Sequence, residues 1–362
     1  MLEISFEEKD MKRTIVLKVN SENPEEDKIK AAAKIIRRGG LVAFPTETVY
    51  GLGADALNPK AVQRIFEAKN RPFDNPLIVH IADKREIYRL SDEIPEGIDK
   101  LMDFWPGPLT LILKASRIVP RETTGGLDTV AIRMPNHKVA LALIRESRVP
   151  IAAPSANLSG RPSPTTAMHV KQDLEGRIDM ILDAGPTKIG VESTVLDLTS
   201  KPPQILRPGG LPFEELKRVL KEITIHPSAV ADKNLRIERA PSPGMKHRHY
   251  SPKAQLILVE GDIDAVINKI QELVDRYDES GKKVGVLATD ETRYHYRADV
   301  IKSLGSREDF ACLAKNLFRL LREFDEEKVD VIIAEGVPLK NLGLAVMNRL
   351  RKASGFNIVK AG

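Results

Sequence analysis

Between residues 226 and 244 the chain reads HPSAVADKNLRIERAPSPG, a stretch with several breakers and little periodicity of any kind. Neither a helix nor a strand carries through it, which suggests a linker between the residues before it and the residues after it. On both sides, apolar runs of strand length alternate with windows of helical period, the texture of α/β units. A chain of 362 residues is long enough for two such units to bury a core each. The sequence therefore predicts a larger α/β domain over 1–222, a connecting segment over 223–254 and a smaller α/β domain over 255–362.

In the first part, residues 25–38 carry Ile29, Ala32, Ile35 and Ile36 on one face and stop at Gly39-Gly40, which predicts a helix. Further helices are expected at 60–69, 137–148, 165–176 and 212–222. Strands are expected in LVAF (41–44), PLIVHIA (76–82), LTLILK (109–114), TVAIRM (129–134), VPIAA (149–153), MILD (180–183), STVLDLT (193–199) and QILR (204–207). In the last part strands at 255–260, 283–288 and 329–335 alternate with helices at 262–278, 307–327 and 342–353. That order predicts a small open, mostly parallel sheet of Rossmann-like kind.

Composition narrows the function classes. The single cysteine, Cys312, rules out an internal disulfide and a thiolate metal cluster and points to a cytoplasmic compartment. The opening MLEISFEEKD has acids where a secretory leader needs bases and an apolar core. No apolar run approaches the roughly 18 residues of a membrane span. A net charge of +5 suits an anionic ligand, nucleotide or nucleic acid, and equally suits a solvated Lys/Glu-rich surface.

Candidate chemistry gathers at strand ends. PTETVYGLGADA (45–56) contains a loose match to the dinucleotide fingerprint G-x-G-x-x-A, but TETVY separates the glycines from the strand. A glycine-requiring turn, or a ligand loop with Thr46 and Thr48 pointing into a pocket, are the competing readings. In EAKNRPFDNP (67–76), Lys69 and Arg71 follow a helix and precede prolines. Two cations in a stiff loop neutralise phosphates, and equally they cap a helix dipole. His80, inside LIVHI, reads by default as a core histidine. Arg133 interrupts an apolar strand and needs a carboxylate from protein or ligand if buried, or else it lies on the solvent face.

VPIAAPSANLSG (149–160) opens a strand end into Ser155, Asn157 and Gly160, the kind of loop that binds ligands in α/β proteins. Ser193 and Thr194 in VESTVL, and Arg207 in RPGG, read individually as polar turns. There is no P-loop, no H-E-x-x-H, no metal-ligand spacing and no nucleophile elbow. The pattern is that of a site that positions anionic substrates and neutralises charge without a protein nucleophile or a protein-bound metal.

Taken in order, PTETVYGLG (45–53), KNRP (69–72), PLIVH (76–80), WPGPLT (105–110), TVAIRMP (129–135), APSAN (153–157), EST (192–194), RPG (207–209), SPGMK (242–246) with His249 and Tyr250, and MNRLRKAS (347–354) resemble the threonylcarbamoyl-AMP synthase family. These are the YrdC-like enzymes, here in the long form with an additional C-terminal domain. The resemblance implies a YrdC-like mixed twisted sheet with helices. It also implies a reaction: L-threonine, bicarbonate and ATP give threonylcarbamoyl-AMP and pyrophosphate, the first step in modifying a tRNA adenosine next to the anticodon. ATP is then a substrate, magnesium accompanies its phosphates, and the product passes to a tRNA-modifying partner complex.

By the same resemblance Lys69 and Arg71 act in catalysis, and Asn75, Thr129, Ser155, Asn157, Ser163, Arg207, His249 and Tyr250 join them around ATP. Thr48, His80, Arg133, Ala153 and Ser193 surround the threonine, with Arg133 taking its carboxylate. Asn157 either orients a phosphate or caps its turn. SPGMKHRHYSP (242–252) is expected to fold back as a lid over ATP, the alternative being a solvated basic hinge. Two further readings stand beside this one: a double-stranded-RNA-binding module with weak RNA affinity, and a carbamoyl-adenylate-forming module of the hydrogenase-maturation type, against which the single cysteine counts.

Overall fold

A computed structural model describes residues 13–233, 235 and 249–362. Two sheets organise it. The first has twelve strands, running Ile15–Lys18, Met180–Asp183, Val42–Phe44, Gly51–Asp55, Ile151–Ala152, Ile78–His80, Thr129–Arg133, Leu109–Ala115, Thr194–Asp197, Gln204–Arg207 and Thr224–Ile225, with Ser91–Glu93 added to Leu109–Ala115. Parallel and antiparallel pairs mix along it. The second has five strands in the order Val300–Ser303, Val284–Ala288, Val331–Glu335, Gln255–Gly261 and Ile358–Ala361, every pair parallel.

Apolar runs without alternation build these sheets because both faces are covered. In the strand Gln255–Gly261, Leu256 and Leu258 join the core under the helices Phe310–Glu327 and Gly343–Ala353, while Ile257 and Val259 join the core under Ile263–Glu279. In the first sheet, the helix Glu26–Arg37 buries Ile29, Ala32, Ala33 and Ile36 against Val139, Ala140, Leu143 and Ile144 of Lys138–Ser147. Its acids stand in the first turn and its bases in the last, as the helix dipole favours.

Most expected elements are present with ends trimmed by a residue or three. The short strands Ile15–Lys18, Val300–Ser303 and Ile358–Ala361 were not expected. The dinucleotide reading of GLGADA is corrected: Gly51–Asp55 is a strand, paired antiparallel with Val42–Phe44. Gly53 is needed for packing, since a Cβ there would stand 2.8 Å from both Ile151 and Phe44. The connecting segment begins with structure of its own, the strand Thr224–Ile225 and the turn of helix Pro227–Val230.

Candidate functional site

The helix Pro59–Lys69 is capped by Asn58, whose side chain accepts from the Lys60 and Ala61 amides, and it ends at Asn70 in the left-handed conformation, φ 51°. That end fixes Lys69 and Arg71 on opposite sides of a turn. Both are buried, at 1% and 8% exposure, so helix capping in solvent does not describe either. Lys69 Nζ donates to the carbonyls of Ser155 and Asn157, 2.5 Å each, and so clamps the PSAN loop from beneath. Burial, then the neighbouring Arg71 charge, push its pKa well below the usual lysine value. Arg71 Nη2 donates to the carbonyls of Asn75 and Pro76 at 3.4 and 3.2 Å. Burial pushes its pKa down to about 10, which still leaves it charged at neutral pH.

Above Arg71 opens a cleft of about 590 Å³, part of it open to solvent. It forms where the strands Ile78–His80 and Thr129–Arg133 end and Leu109–Ala115 and Thr194–Asp197 begin, because these pairs run in opposite senses. It is lined by Thr46, Thr48, His80, Arg133, Ala153 and Ser193 and by Arg71, Ser155, Arg207, His249 and Tyr250. Gly51 permits the close approach of its wall: a Cβ there would stand 3.3 Å from that of Ala153.

Arg133 is 4% exposed and meets the protein carboxylate its burial demands: Nη2 stands 2.7 Å from Glu47 Oε1, and Nε donates to Gly107 at 3.3 Å. The Glu47 contact is an ion pair by distance without aligned hydrogen-bond geometry, and neither Glu47 oxygen accepts a hydrogen bond among the described residues. His80 pairs in register with Arg133 on the next strand. Burial first, and the Arg133 charge second, hold His80 near a pKa of about 3, so it is neutral at physiological pH. Ser193 shares a 2.7 Å hydrogen bond with Thr110, and Arg207 donates to the Ser193 carbonyl at 2.9 and 3.1 Å and to its hydroxyl at 3.2 Å.

A histidine kept neutral by folding titrates in the unfolded chain from about 6.5 downward, while the folded pKa lies near 3. The unfolded state therefore binds the extra proton in that window, and stability falls as pH drops below 6.5 by about 1.4 kcal/mol per unit. We expect denaturant midpoints at pH 7 and pH 5 to show wild type losing about 2 kcal/mol more than His80→Gln. Equal losses in the two proteins would refute this account of His80.

Ten of the residues singled out from sequence thus share one cleft: Thr48, Arg71, His80, Arg133, Ala153, Ser155, Ser193, Arg207, His249 and Tyr250. Five stand off its walls. Lys69 and Asn75 lie behind Arg71 and the loop, and Asn75 Oδ1 is buried without a hydrogen-bond partner among the described residues. The Asn157 amide donates to the Leu158 and Arg161 carbonyls at 2.7 and 3.0 Å, which is the turn-capping alternative. Ser163 donates to Glu192 at 2.6 Å. Thr129 begins the strand that Arg133 ends, opposite Lys114, about 13 Å from Arg133 along the strand.

Of the expected lid, 242–252, residues 242–248 lie outside the described residues. Its last residues are anchored: Tyr250 is 4% exposed and stacks on Phe318 at 5.3 Å, and the Ser251 amide donates to Gly160 at 2.8 Å. Sequence reasoning gave no role to Glu47, Glu192, Thr110 or Arg349. Glu47 and Glu192 were visible inside quoted motifs, and two acids among so many hydroxyls and cations were the available signal.

Fold and cleft together define an α/β protein with a pocket lined by hydroxyls and arginines, of a kind suited to small anionic ligands. Residues 34–209 match the family model Sua5/YciO/YrdC, described as "Telomere recombination", and residues 211–355 match "Threonylcarbamoyl-AMP synthase, C-terminal domain". The threonylcarbamoyl-AMP synthase of Pyrococcus abyssi is 58% identical over 96% of this chain and 99% of that protein. That of Bacillus subtilis is 52% identical over 92% and 95%. The crystal structure of P. abyssi Sua5 complexed with L-threonine superposes with a TM-score of 0.91 at 56% identity, covering 96% of this chain and all of that one. Escherichia coli YciO, at 27% identity and a TM-score of 0.51, covers 54% of this chain. The chain belongs to the threonylcarbamoyl-AMP synthase family. Among the described residues no helix is long and apolar enough to cross a membrane.

Proposed function

We propose that this chain condenses L-threonine, bicarbonate and ATP into threonylcarbamoyl-AMP and pyrophosphate. The observation that carries the reading is a single cleft lined by two chemically different sets of side chains. One offers hydroxyls, a neutral imidazole and a buried arginine, which fits an amino acid with its carboxylate on Arg133. The other offers Arg71 and Arg207, which fits phosphates. The neutral threonine amine and bicarbonate give the carbamate, forming the N–C bond as an amine proton and the bicarbonate hydroxyl leave as water. A carbamate oxygen then attacks the α-phosphorus, forming the O–P bond as the bond to the β-phosphate oxygen breaks and pyrophosphate leaves. Two anions approach, so charge neutralisation and fixed geometry carry the catalysis.

On this reading Thr48, His80, Arg133, Ala153 and Ser193 hold threonine. Arg71, Ser155, Arg207, His249 and Tyr250 hold the nucleotide, with Lys69, Asn75, Asn157 and Ser163 supporting them and Thr129 further out. His249 and Tyr250, at the described end of the 242–252 stretch, would stand on the nucleotide side and help keep water from the mixed anhydride. Among the described residues no cluster of three His, Cys, Asp or Glu offers a metal cage. Magnesium would arrive on the ATP phosphates, where it neutralises charge, with hydroxyls and water around it. The product would pass, in the cytoplasm, to a complex that modifies tRNA, and weak RNA contact belongs to that hand-over. The boundaries 1–222, 223–254 and 255–362 remain our working division of the chain.

Pyrophosphate release should require threonine and bicarbonate together. Serine should be poorer by less than about tenfold, since one buried methyl contributes about 1 kcal/mol. Equal release with carbamoyl phosphate in place of threonine and bicarbonate would instead favour the hydrogenase-maturation chemistry. Salt-sensitive RNA binding with no release at all would favour the RNA-binding module.

A further inference from the structure

The stretch MNRLRKAS lies on the helix Gly343–Ala353 of the C-terminal unit, and one of its side chains reaches across into the first unit. Arg349 is 0% exposed. Its Nε and Nη2 grip Glu192 Oε2 at 3.1 and 3.0 Å, its Nη1 donates to the Pro208 carbonyl, and its guanidinium lies 5.7 Å from the centre of the Tyr250 ring. Each partner adjoins the cleft. Glu192 lines it and receives the Ser163 hydroxyl on its other oxygen at 2.6 Å. Pro208 follows Arg207, and Tyr250 closes the side.

The charges agree with the geometry. Burial alone would raise the Glu192 pKa, yet Arg349, Arg207 and the Ser163 hydrogen bond together hold it below the ordinary value. One turn along the helix, Lys352 is pushed down to about 7 by burial, then by Arg349 and Arg207, so the fields of the two arginines overlap there. No described hydrogen bond, ion pair or ring contact joins Arg349 to Thr48, His80, Arg133, Ala153 or Ser193, and Ser193 is reached from it only indirectly, as the chain neighbour of Glu192 and an acceptor of Arg207.

We propose that Arg349 is a positioning residue for the nucleotide half of the cleft, through which the C-terminal unit sets Glu192, the Arg207–Pro208 turn and Tyr250. The proposal rests on the function proposed above. A planar fork suits this place better than an ammonium, because Nε and Nη2 share Glu192 Oε2 while Nη1 reaches the Pro208 carbonyl.

The test uses the full chain with Arg349→Met, Arg349→Lys and the double variant Arg349→Met/Glu192→Gln, which removes both charges of the buried pair. Steady-state constants for ATP and for threonine are measured separately, with calorimetric ATP binding and melting temperature alongside. Expected for Arg349→Met is a rise of about 10- to 100-fold in the KM and Kd for ATP, with the threonine KM within about threefold. Arg349→Lys recovers part of this, and the double variant recovers melting temperature without ATP affinity. An unchanged ATP Kd in a folded Arg349→Met overturns the proposal. So do ATP and threonine constants that worsen together and both recover in the double variant, which is the signature of charge balance alone. Wild type that binds ATP but releases no pyrophosphate overturns the function, while calorimetry still decides on Arg349. Wild type that binds no ATP overturns both.

Discussion

Arg71→Ala should remain folded and lose about 10²- to 10³-fold in kcat/KM for pyrophosphate release. Arg71 spends one nitrogen on the Asn75 and Pro76 carbonyls, its Nε has no partner among the described residues, and it lines the cleft. The preorganised donors left over gain most when charge develops on the phosphates, so the loss belongs to the transition state. Arg71→Lys should recover little, because a point charge cannot replace the fork. A folded Arg71→Ala with kcat/KM within about threefold of wild type would remove Arg71 from the catalytic group. Lys69→Ala is a different case, because its ammonium holds two carbonyls of the PSAN loop. Activity and melting temperature should fall together in that variant.

The second large effect concerns Arg133. Arg133→Ala should raise the threonine KM about 100-fold or more while leaving the ATP KM near wild type. It should also cost about 3–5 kcal/mol of stability, because Glu47 is left as a buried, unpaired carboxylate. Adding Glu47→Gln should restore much of that stability without restoring threonine affinity, which separates the two roles of the arginine. Threonine dependence unchanged in Arg133→Ala would show that the amino-acid carboxylate sits elsewhere in the cleft.

Helical period and unbroken apolar runs were legible where burial is one- or two-sided and local: MILD and QILR are strands over the expected residues, and the major helices fall in place. GLGAD was not, because its glycines satisfy packing against Ile151 and Phe44, partners that no local pattern reveals. The parallel strand Val300–Ser303 was missed because it is short and half-buried, with little apolar signal. In the cleft, hydroxyls and cations could be picked out as types at strand ends, and the ordered motifs assigned them. What stayed hidden is how they are held. The Arg133–Glu47 pair, the Lys69 clamp and the Arg349 hub each join residues distant in sequence. They become readable only when strand order is known.

The hairpin that carries Thr46 and Thr48 turns its other side to the C-terminal unit. Val49 and Val191 belong to the apolar core of that unit, and a Cβ on Gly190 would stand 2.5 Å from the Lys315 backbone. Arg322 meets Asp173 across the same seam at 2.9 Å, both fully sheltered. Modularity is therefore asymmetric here. E. coli YciO shows that the fold of the first sheet exists in a chain matching about half of this one. Cutting this chain at the connector would not yield an equivalent, because it would bare Val49 and Val191, leave Asp173 with Arg161 as its one arginine partner among the described residues, and take Arg349 from Glu192. A free-standing first half would need new residues at those four positions, so the two units here are interdependent parts and not interchangeable ones.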